Sequence, residues 1–461
     1  MNRIRQYALL FGPAFATAVV TLSGCSGSAP IPVNPAAKSA VQVRIGDAPV
    51  DKVLAFELTV TSITLTDAAG ATTNVLSSPT EVELTHLAGT FEPLTLNSIT
   101  QGTYTKAVIT VASPDVTYID PGTGLIMEKH PTLTTPTATV TFPSGGLTVG
   151  SSATSINFDF NLANSLVFDA SNNVTVTPVF TVSSVTVASN QQDQDTDDGN
   201  VEGVKGAVVS VSGSTIVIAT EKSGIQLSFS TNASTTYDGV SGLSGIQAGE
   251  IVQIDARTQS DGSLMATKIE IENAQNNSLE AAGIVTSVTG TPAVSLKLLV
   301  QGQVSSAPSG SKPVLGSEIS VTLLDSTTYK INADHNDLSN LPFTPVFNGR
   351  TIAPAQRVET DVDSPNTLAV LANKVQLQQQ SLSGTASGYT ATNGHGSFIL
   401  TLGSDSMFAK LTGLTTITVY QQSATKLKNI SSMNNGDTMR VRGLLFLDGT
   451  QYRMVASHIL K

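Results

Sequence analysis

From Val41 onward, apolar and polar residues alternate in short runs. The segments Val41–Ile45, Phe56–Val60 and Ala107–Val111 carry an apolar side chain at every second position. Turn-forming residues separate these runs, as in Asp67–Gly70. A period of two is that of a strand with one buried face, and short strands with frequent turns are typical of a β-sandwich. Helical periodicity is nearly absent, and only Phe160–Phe168 predicts a short helix or an irregular crossover.

Beyond residue 200 the chain repeats itself three times. The units open at Gly206, Gly283 and Gly384, and each later contains a short turn, a strand, a second turn and a final strand. In the first and third units the second turn is Asp261-Gly262 and Asp448-Gly449, a pair that favours a tight antiparallel hairpin. We therefore predict three small β-barrels of related design.

Two further features help to align the units. Thr235, Thr327 and Thr415 each begin a Thr-Thr pair before the short turn, and we take them as equivalent. The second unit carries insertions at 301–313 and 333–350.

The same alternation predicts which side chains face inward in these barrels. In the first unit Lys268 and Glu270 fall between inward positions, so we expect them to face water. The predicted inward positions are Val252, Ile254, Ile269 and Ile271 in the first unit, and Met439, Val441, Val455 or Ile459 in the third.

The N-terminus has the pattern of an export signal. Arg3 and Arg5 precede a largely apolar stretch that ends in Leu22-Ser23-Gly24-Cys25. A basic start, an apolar stretch and small residues before a cleavage site predict a secretory signal peptide at 1–24.

Cys25 is the chain's only cysteine, so it cannot form an intrachain disulfide. Leu22-Ser23-Gly24-Cys25 resembles the lipobox of bacterial lipoproteins, which implies cleavage before Cys25, lipid on its sulfur and a lipid anchor. Ser26 at the next position resembles the default for transfer to the outer membrane. The alternative is an ordinary signal peptide with an incidental cysteine. Residues 25–40 then form a proline-containing tether.

Residues 41–189 form the predicted sandwich. Asp47-Ala-Pro-Val-Asp51, Gly102-Thr-Tyr104 and Phe158-Asp-Phe160 occur in it in that order, followed by Pro178-Val179. In this order and spacing, the segment resembles the bacterial domain-of-unknown-function family 4382. The resemblance implies a fold class and no activity.

The repeats begin after a polar, acidic linker at 190–200. We place the units at 201–275, 279–380 and 381–461. Their Gly-x-Val opening and Ala-x-Lys-Ile close resemble the bacterial domain-of-unknown-function family 5666. That resemblance implies small barrels similar in shape to the OB fold. The predicted fold class is all-β: an N-terminal β-sandwich followed by three small antiparallel OB-like barrels.

Composition excludes some classes of function. Charged residues are only 13% of the chain, and 24 Lys and Arg stand against 35 Asp and Glu. An isoelectric point near 4.9 is the opposite of what phosphate binding needs, so we expect no nucleic-acid partner. The 40% of hydrophobic residues exclude a disordered acidic protein.

Candidate chemistry is sparse. Asp193, Asp195 and Asp197 resemble the start of a calcium loop, but the twelfth position is Val204 rather than glutamate, so a solvated linker is the favoured alternative. Asp47 and Asp51 are either a polar site or the flanks of an Asp-Pro turn, and we favour the turn. The five histidines are far apart in sequence, and we interpret each as a surface or strand residue. No catalytic motif and no cofactor motif is found.

These features predict a non-enzymatic binding or structural role at the bacterial outer membrane. The expected partners are the membrane, through lipid on Cys25, and an envelope protein or glycan of unknown identity. The alternative is an envelope hydrolase whose polar site is assembled from remote loops. A deep pocket with converging Asp, Glu and His would favour the hydrolase, and carboxylates scattered on flat sheets would favour binding.

Overall fold

The alternating runs form strands throughout the part of the chain that the computed structural model describes. Strands hold 63% of the described residues and helices 4%, which confirms the all-β prediction. From residue 37 to the C-terminus these elements form one compact unit. The structure describes residues 37–48, 51–87, 89–143, 145–169, 171, 173–187, 199–220, 225–273, 278–305, 313–363 and 370–461.

The N-terminal part is a β-sandwich. A four-stranded sheet, in the order β14-β11-β1-β5, faces a seven-stranded sheet built around β6 and β2. A small sheet of β12, β13 and β8 lies beside them. The strands are β1 (Lys38–Ala48), β2 (Ala55–Asp67), β3 (Thr72–Asn74), β4 (Thr80–Glu83), β5 (Phe91–Thr100), β6 (Gly102–Ile119), β7 (Ile126–Lys129), β8 (Thr132–Leu133), β9 (Thr137–Thr141), β10 (Leu147–Val149), β11 (Thr154–Asn161), β12 (Leu166–Phe168), β13 (Val174–Val176) and β14 (Phe180–Thr186).

Strand β1 is buried on both faces. Val43 and Ile45 point into the sandwich core with the aromatic rings of β2 and β11. Gln42 and Arg44 point the other way and are also buried. Arg44 donates to the backbone oxygen of Asn200 at 2.8 Å. The outer face of β1 is therefore covered, and the segment at Asn200 forms part of that cover.

The predicted short helix is present as α1 (Leu162–Ser165). The side chain of Asn161 caps it by accepting the N–H of Asn164 at 3.0 Å. An N-cap of this kind satisfies a donor that has no partner within the helix.

Three β-barrels follow, which we call barrels 1, 2 and 3. Barrel 1 contains β15 (Val201–Ser212), β16 (Thr215–Thr220), β17 (Gln226–Ser230), β18 (Thr236–Asp238), β19 (Ile251–Thr258) and β20 (Leu264–Asn273). Barrel 2 contains β21 (Ser278–Gly290), β22 (Ala293–Ser305), β23 (Glu318–Ile331), β24 (Arg357–Asp363) and β25 (Val370–Leu377). Barrel 3 contains β26 (Gln380–Thr392), β27 (His395–Thr401), α2 (Met407–Thr412), β28 (Thr416–Lys428), β29 (Thr438–Asp448) and β30 (Gln451–Leu460).

The three barrels share one topology. Barrels 2 and 3 are closed rings of five strands, in the orders β21-β22-β23-β25-β24 and β26-β27-β28-β30-β29. In barrel 1 the third strand is divided into β17 and β18, and both parts pair with β20. Each barrel contains a parallel pairing between its third strand and its last strand. The physical reason is that strand directions cannot alternate all the way around a ring with an odd number of strands.

The glycine that opens each unit is required by the close approach of a neighbouring strand. A Cβ atom on Gly206 or Gly384 would lie 2.4 Å from a backbone oxygen of the second strand, and one on Gly283 would lie 1.8 Å from the oxygen of Leu299. At Gly283 the strand pairing also shifts register. Glycine within a strand often marks such a close approach or a barrel corner.

A threonine hydroxyl joins the third strand to the last strand in every barrel. Thr235 donates to Ala266 O at 2.8 Å, and Thr327 donates to Ala372 O at 2.7 Å. In barrel 3 the equivalent residue is Thr425, which donates to Ala456 O at 2.7 Å. The predicted equivalence of Thr415 was therefore wrong, because Thr415 precedes the strand that carries this contact.

The predicted inward positions of barrel 1 are largely confirmed. β19 and β20 are antiparallel neighbours joined by Asp261-Gly262, and β29 and β30 are joined by Asp448-Gly449. Val252, Ile254 and Ile269 are buried in the core, and Ile271 packs at its margin. Lys268 and Glu270 do point away from that core. They do not face open water, because Lys268 pairs with Glu270 at 2.8 Å and with Asp334 of barrel 2 at 3.2 Å.

Barrel 3 departs from the prediction at Val455. Met439, Val441 and Ile459 belong to its own core, as expected. Val455 instead joins Leu444 and Phe446 in the hydrophobic core of barrel 2. Both faces of β29 and β30 are apolar here, so alternation alone could not distinguish the barrel's interior from an apolar outer face.

The sandwich also packs directly against the barrels. Leu54 and Ile119 of the sandwich form one apolar cluster with Leu299 of barrel 2 and Met407 of barrel 3. The backbone N–H of Met407 donates to Asp51 O at 2.6 Å. These contacts bring three of the four β units together around one point.

We expect Gly283→Ala to destabilise the protein by about 1–3 kcal/mol, because the added methyl group must push two paired strands apart. Gly150→Ala is the matched control, since nothing lies within 4 Å of a Cβ atom at this exposed position. Thermal unfolding of both variants is the measurement. Equal melting temperatures would contradict the assigned close approach.

Candidate functional site: a polar cleft between four β units

The sandwich and the three barrels meet at a polar cleft of about 150 Å³. The sandwich contributes His86 and the segment Gly89–Glu92 to its wall. Barrel 1 contributes residues of β15 and β19, and barrel 2 contributes residues of β24 and of the loop that follows β23. Barrel 3 contributes Arg442 and His458. Because each wall comes from a different unit, the cleft exists only when the units are assembled.

His86 is held between two carboxylates at the sandwich wall. Its Nδ1 lies 2.6 Å from Oε2 of Glu83, and its Nε2 lies 3.0 Å from Oε1 of Glu92. Glu83 is fully buried and accepts the N–H of Phe56 at 3.1 Å. Burial opposes the charge of Glu83, but bonds from His86 and Thr85 hold its pKa below the ordinary value. An ionised Glu83 therefore orients the imidazole, and the Nε2 edge is turned to the cleft residue Glu92.

Two guanidinium groups, those of Arg357 and Arg442, also line the cleft. Desolvation of Arg442 and the like charge of Arg357 lower the pKa of Arg442 to about 10, while Glu202 and Glu92 act in the opposite direction. Arg357 lies 3.4 Å from both the Gln301 side chain and a backbone oxygen. The lining of the cleft thus contains both acidic and basic groups.

A buried charge cluster forms the floor between barrels 1 and 2. Nζ of Lys205 in β15 lies 2.6 Å from Glu359, 3.0 Å from Glu280 and 3.8 Å from Glu272. One oxygen of each carboxylate lies within 4.8 Å of the others, a spacing that could hold a metal ion. The Lys205 ammonium already lies among them, so we assign this cluster to a cation supplied by the chain itself.

The cluster contains more carboxylates than ammonium groups. Lys374 adds a second cation, 3.0 Å from both Glu272 and Asp361. Burial, opposed by Lys205, raises the pKa of Glu359 to about 7 and raises that of Glu280 well above its ordinary value. Two lysines face four carboxylates, so the ammonium groups compensate the carboxylate charge only in part.

The sequence-derived site residues have different outcomes. Cys25 and the calcium candidates Asp193, Asp195 and Asp197 lie outside the described residues. His86, His335 and His458, remote in sequence, line the one cleft. The interpretation of each of these histidines as an isolated surface or strand residue was therefore incomplete, because all three line one cleft.

Asp47 and Asp51 lie where the sandwich meets barrel 3. Asp47 is only 2% exposed. Oδ2 of Asp51 accepts the N–H of Ser383 at 3.2 Å, and burial raises the pKa of Asp51 to about 7. Residues 49–50, which would form the predicted turn, are outside the described residues. Neither aspartate reaches the cleft.

Two segments of the chain match protein families. Residues 38–178 match the family described as Domain of unknown function (DUF4382), and residues 205–270 match Domain of unknown function (DUF5666). The two matches follow one another in the order that the sequence predicted. No curated protein matches the chain. Among the described residues, no helix is both long enough and apolar enough to span a membrane.

The segment that matches DUF4382 lies in the sandwich and the segment that matches DUF5666 lies in barrel 1, and both segments contribute residues to the cleft. The sequence pattern did not identify four charged residues that form or support the wall of the cleft: Glu83, Lys205, Arg357 and Arg442. One signal was present: a charged residue within an otherwise apolar strand, as at Lys205 and Glu280, is unusual unless it has a buried partner. The identity of that partner could not be read from the sequence, because it lies on another unit.

We expect the cluster to make stability depend on pH. The folded pKa values of Glu280 and Glu359 lie above the ordinary glutamate value, so the folded state binds more protons than the unfolded state. Stability should therefore be greatest in mild acid and fall as pH rises between about 5 and about 8. Glu280→Gln should flatten this fall in melting temperature, because each pKa unit corresponds to about 1.4 kcal/mol.

Asp325→Asn is the control for this measurement, because Asp325 is exposed on β23. It should leave the pH profile of the melting temperature unchanged. A profile for Glu280→Gln as steep as that of the wild type would show that Glu280 does not carry the effect.

Proposed function

We propose that this protein is a lipoprotein anchored to the bacterial outer membrane, with a non-enzymatic binding role centred on the cleft. The anchor is proposed from Leu22-Ser23-Gly24-Cys25 and from the absence of any second cysteine. Several acyl chains on one residue give stable membrane attachment. The compact body from residue 37 onward would then be held at the membrane by the tether.

The observation that carries the binding role is that the charged groups of the cleft hold one another in place. His86 lies between Glu83 and Glu92, Glu359 contacts Lys205, and Asp255 accepts the N–H of Gly203 at 2.6 Å. Such a wall is arranged before a ligand arrives, which reduces the entropic cost of binding.

The remaining lining favours a hydroxyl-rich ligand. Four side-chain amides line the cleft: Gln253, Asn332, Gln378 and Gln379. An amide can both donate and accept hydrogen bonds, as a sugar hydroxyl does. We therefore propose that the cleft binds one unit of an envelope glycan.

A second candidate, an envelope hydrolase, is favoured by the Glu83–His86 pair. A buried carboxylate that orients a histidine toward a cleft is an arrangement used for general acid–base catalysis. Acidic groups and histidines converge in the cleft, as a hydrolase would require. Incubation with glycans distinguishes a binding site from a hydrolase, because only a hydrolase cleaves them.

The anchor is tested by Cys25→Ser. Only a cysteine thiol can form the lipid thioether, so this variant should lose both label from a radioactive fatty acid and its place in the membrane fraction. Ser28→Ala should keep both. Fatty-acid label on the Cys25→Ser protein would contradict the anchor.

The cleft is tested by binding of the full chain, in detergent, to an array of envelope glycan fragments. We expect one glycan class to bind, and Gln253→Leu to weaken it by about tenfold through loss of a hydrogen-bonding group. Gln247→Leu, at an exposed position of barrel 1 outside the cleft, should bind as the wild type does.

Mass spectrometry of the same glycans separates the two candidates. Intact glycans after incubation support binding, whereas cleavage that is lost in His86→Gln supports the hydrolase. Equal binding by wild type and Gln253→Leu would place the glycan outside the cleft.

A further inference from the structure

The side chain of Arg357 lies on the outer face of barrel 2, at the cleft. Arg357 begins β24, and the next residue, Val358, belongs to the barrel core. Because side chains alternate along a strand, Arg357 and Glu359 share the outer face. Glu359 meets Lys205 of barrel 1 on that face, and all three residues line the cleft.

The guanidinium group of Arg357 has few partners within the chain. Its Nε lies 3.4 Å from Oε1 of Gln301, and its Nη1 lies 3.4 Å from the backbone oxygen of Gln379. Both distances are long for a hydrogen bond. Among the described residues, Nη2 has no hydrogen-bond partner and the group has no carboxylate partner. The planar fork of an arginine suits a bidentate pair with a carboxylate, and here the chain does not supply one.

Arg442 brings a second guanidinium group close to the first. It lies on β29, opposite His458 of β30, and both residues line the cleft. After burial, the positive charge of Arg357 is the strongest influence that lowers the pKa of Arg442 to about 10, and it is larger than the opposing effect of either Glu202 or Glu92. Two like charges this close to one another are stabilised by an anion that contacts both.

The acidic residues of the cleft are already engaged by other groups. Glu202 acts on Arg442. The other four have partners elsewhere in the wall or beside it: His86 for Glu92, the N–H of Gly203 for Asp255, Lys268 for Asp334 and Lys205 for Glu359. An anionic group on the ligand would therefore supply the acid that Arg357 lacks.

We propose that the glycan bound in the cleft is acidic and carries a uronate sugar, whose carboxylate is bound by Arg357 and Arg442. This inference rests on the proposed glycan-binding role and specifies the class of glycan. The side-chain amides of the cleft bind the sugar hydroxyls, and the guanidinium fork of Arg357 accepts the planar carboxylate in two parallel hydrogen bonds. Arg357 is then the residue that selects an acidic glycan over a neutral one.

A uronate fits this charge arrangement better than a phosphorylated sugar. It carries one negative charge, which matches the one guanidinium group of Arg357. A phosphomonoester carries about −1.5 to −2 near neutral pH. The carboxylates of Glu92 and Glu202, which act on the neighbouring Arg442, would repel that additional charge.

The test is isothermal titration calorimetry of the full chain in detergent with three forms of envelope glycan fragments. Each uronate-containing fragment is compared with its methyl ester, which keeps the ring and the hydroxyls but loses the charge. Fragments with a sugar 6-phosphate form the third arm. We expect the free acid to bind about tenfold more tightly than its ester, because a charged hydrogen bond is lost in the ester.

Arg357→Gln is the decisive variant. It should weaken the acid fragment by about tenfold and leave the ester nearly unaffected, whereas Gln253→Leu should weaken both. Arg357→Lys keeps the charge without the fork, so its affinity for the acid should be intermediate. Arg350→Gln is the matched control, since Arg350 is an exposed arginine of barrel 2 outside the cleft, and it should bind both fragments as the wild type does.

The melting temperature of the unliganded protein separates ligand selection from a structural role. Arg357 has no ion pair to lose and its charge opposes that of Arg442, so Arg357→Gln should melt no lower than the wild type while binding less of the acid. The inference is overturned if acid and ester bind equally, if phosphorylated fragments bind more tightly than uronates, or if Arg357→Gln binds the acid as the wild type does. Glycan binding itself survives each of these results, and only the absence of binding by every fragment, esters included, would remove the proposed function.

Discussion

Charge pairing between surfaces that are buried against one another is the interaction on which this structure depends. The side chain of Lys205 points outward from barrel 1 and lies among carboxylates of barrels 1 and 2. Its ammonium group is 2.6 Å from Glu359. Removing a charge from water costs several kcal/mol, and only close partners recover that energy. Barrels 1 and 2 are thus held in one arrangement, because a shifted arrangement would leave buried charges without partners. The polar cleft is a direct result of this arrangement.

The three barrels show how one β unit can serve different positions. Their interiors follow the same rules, with an opening glycine against a neighbouring backbone and a threonine hydroxyl tying the third strand to the last. Their outer faces differ. Barrel 1 presents Lys205 and Lys268 to barrel 2, whereas barrel 3 presents Leu444, Phe446 and Val455. The ring keeps its fold because closure depends on the interior, which leaves the outer face free to become an interface.

The polar cleft follows from the same principle. Where outer faces meet with complementary shapes, apolar contacts seal the seam, as at Leu54, Leu299 and Met407. Where charged side chains meet, complete packing is harder to reach, and cavities lined with polar groups remain. The cleft lies at such a place, and the Gly89–Glu92 segment of the sandwich forms part of its wall. The proposed function rests on the chemistry of this seam rather than on any single domain.

The sequence by itself determined the all-β fold, the three repeats, the Asp261-Gly262 and Asp448-Gly449 hairpins and the inward faces of barrel 1. These features are local: a period of two and a turn residue act within a few neighbouring positions, so they can be read along the chain. Tertiary structure decided that Val455 faces barrel 2, that Thr425 rather than Thr415 ties the third barrel, and that Glu83, His86 and Arg442 share one cleft. The physical reason is that an outward-facing residue has the same sequence pattern whether it meets water or a neighbouring unit, and only the packing of whole units chooses between them.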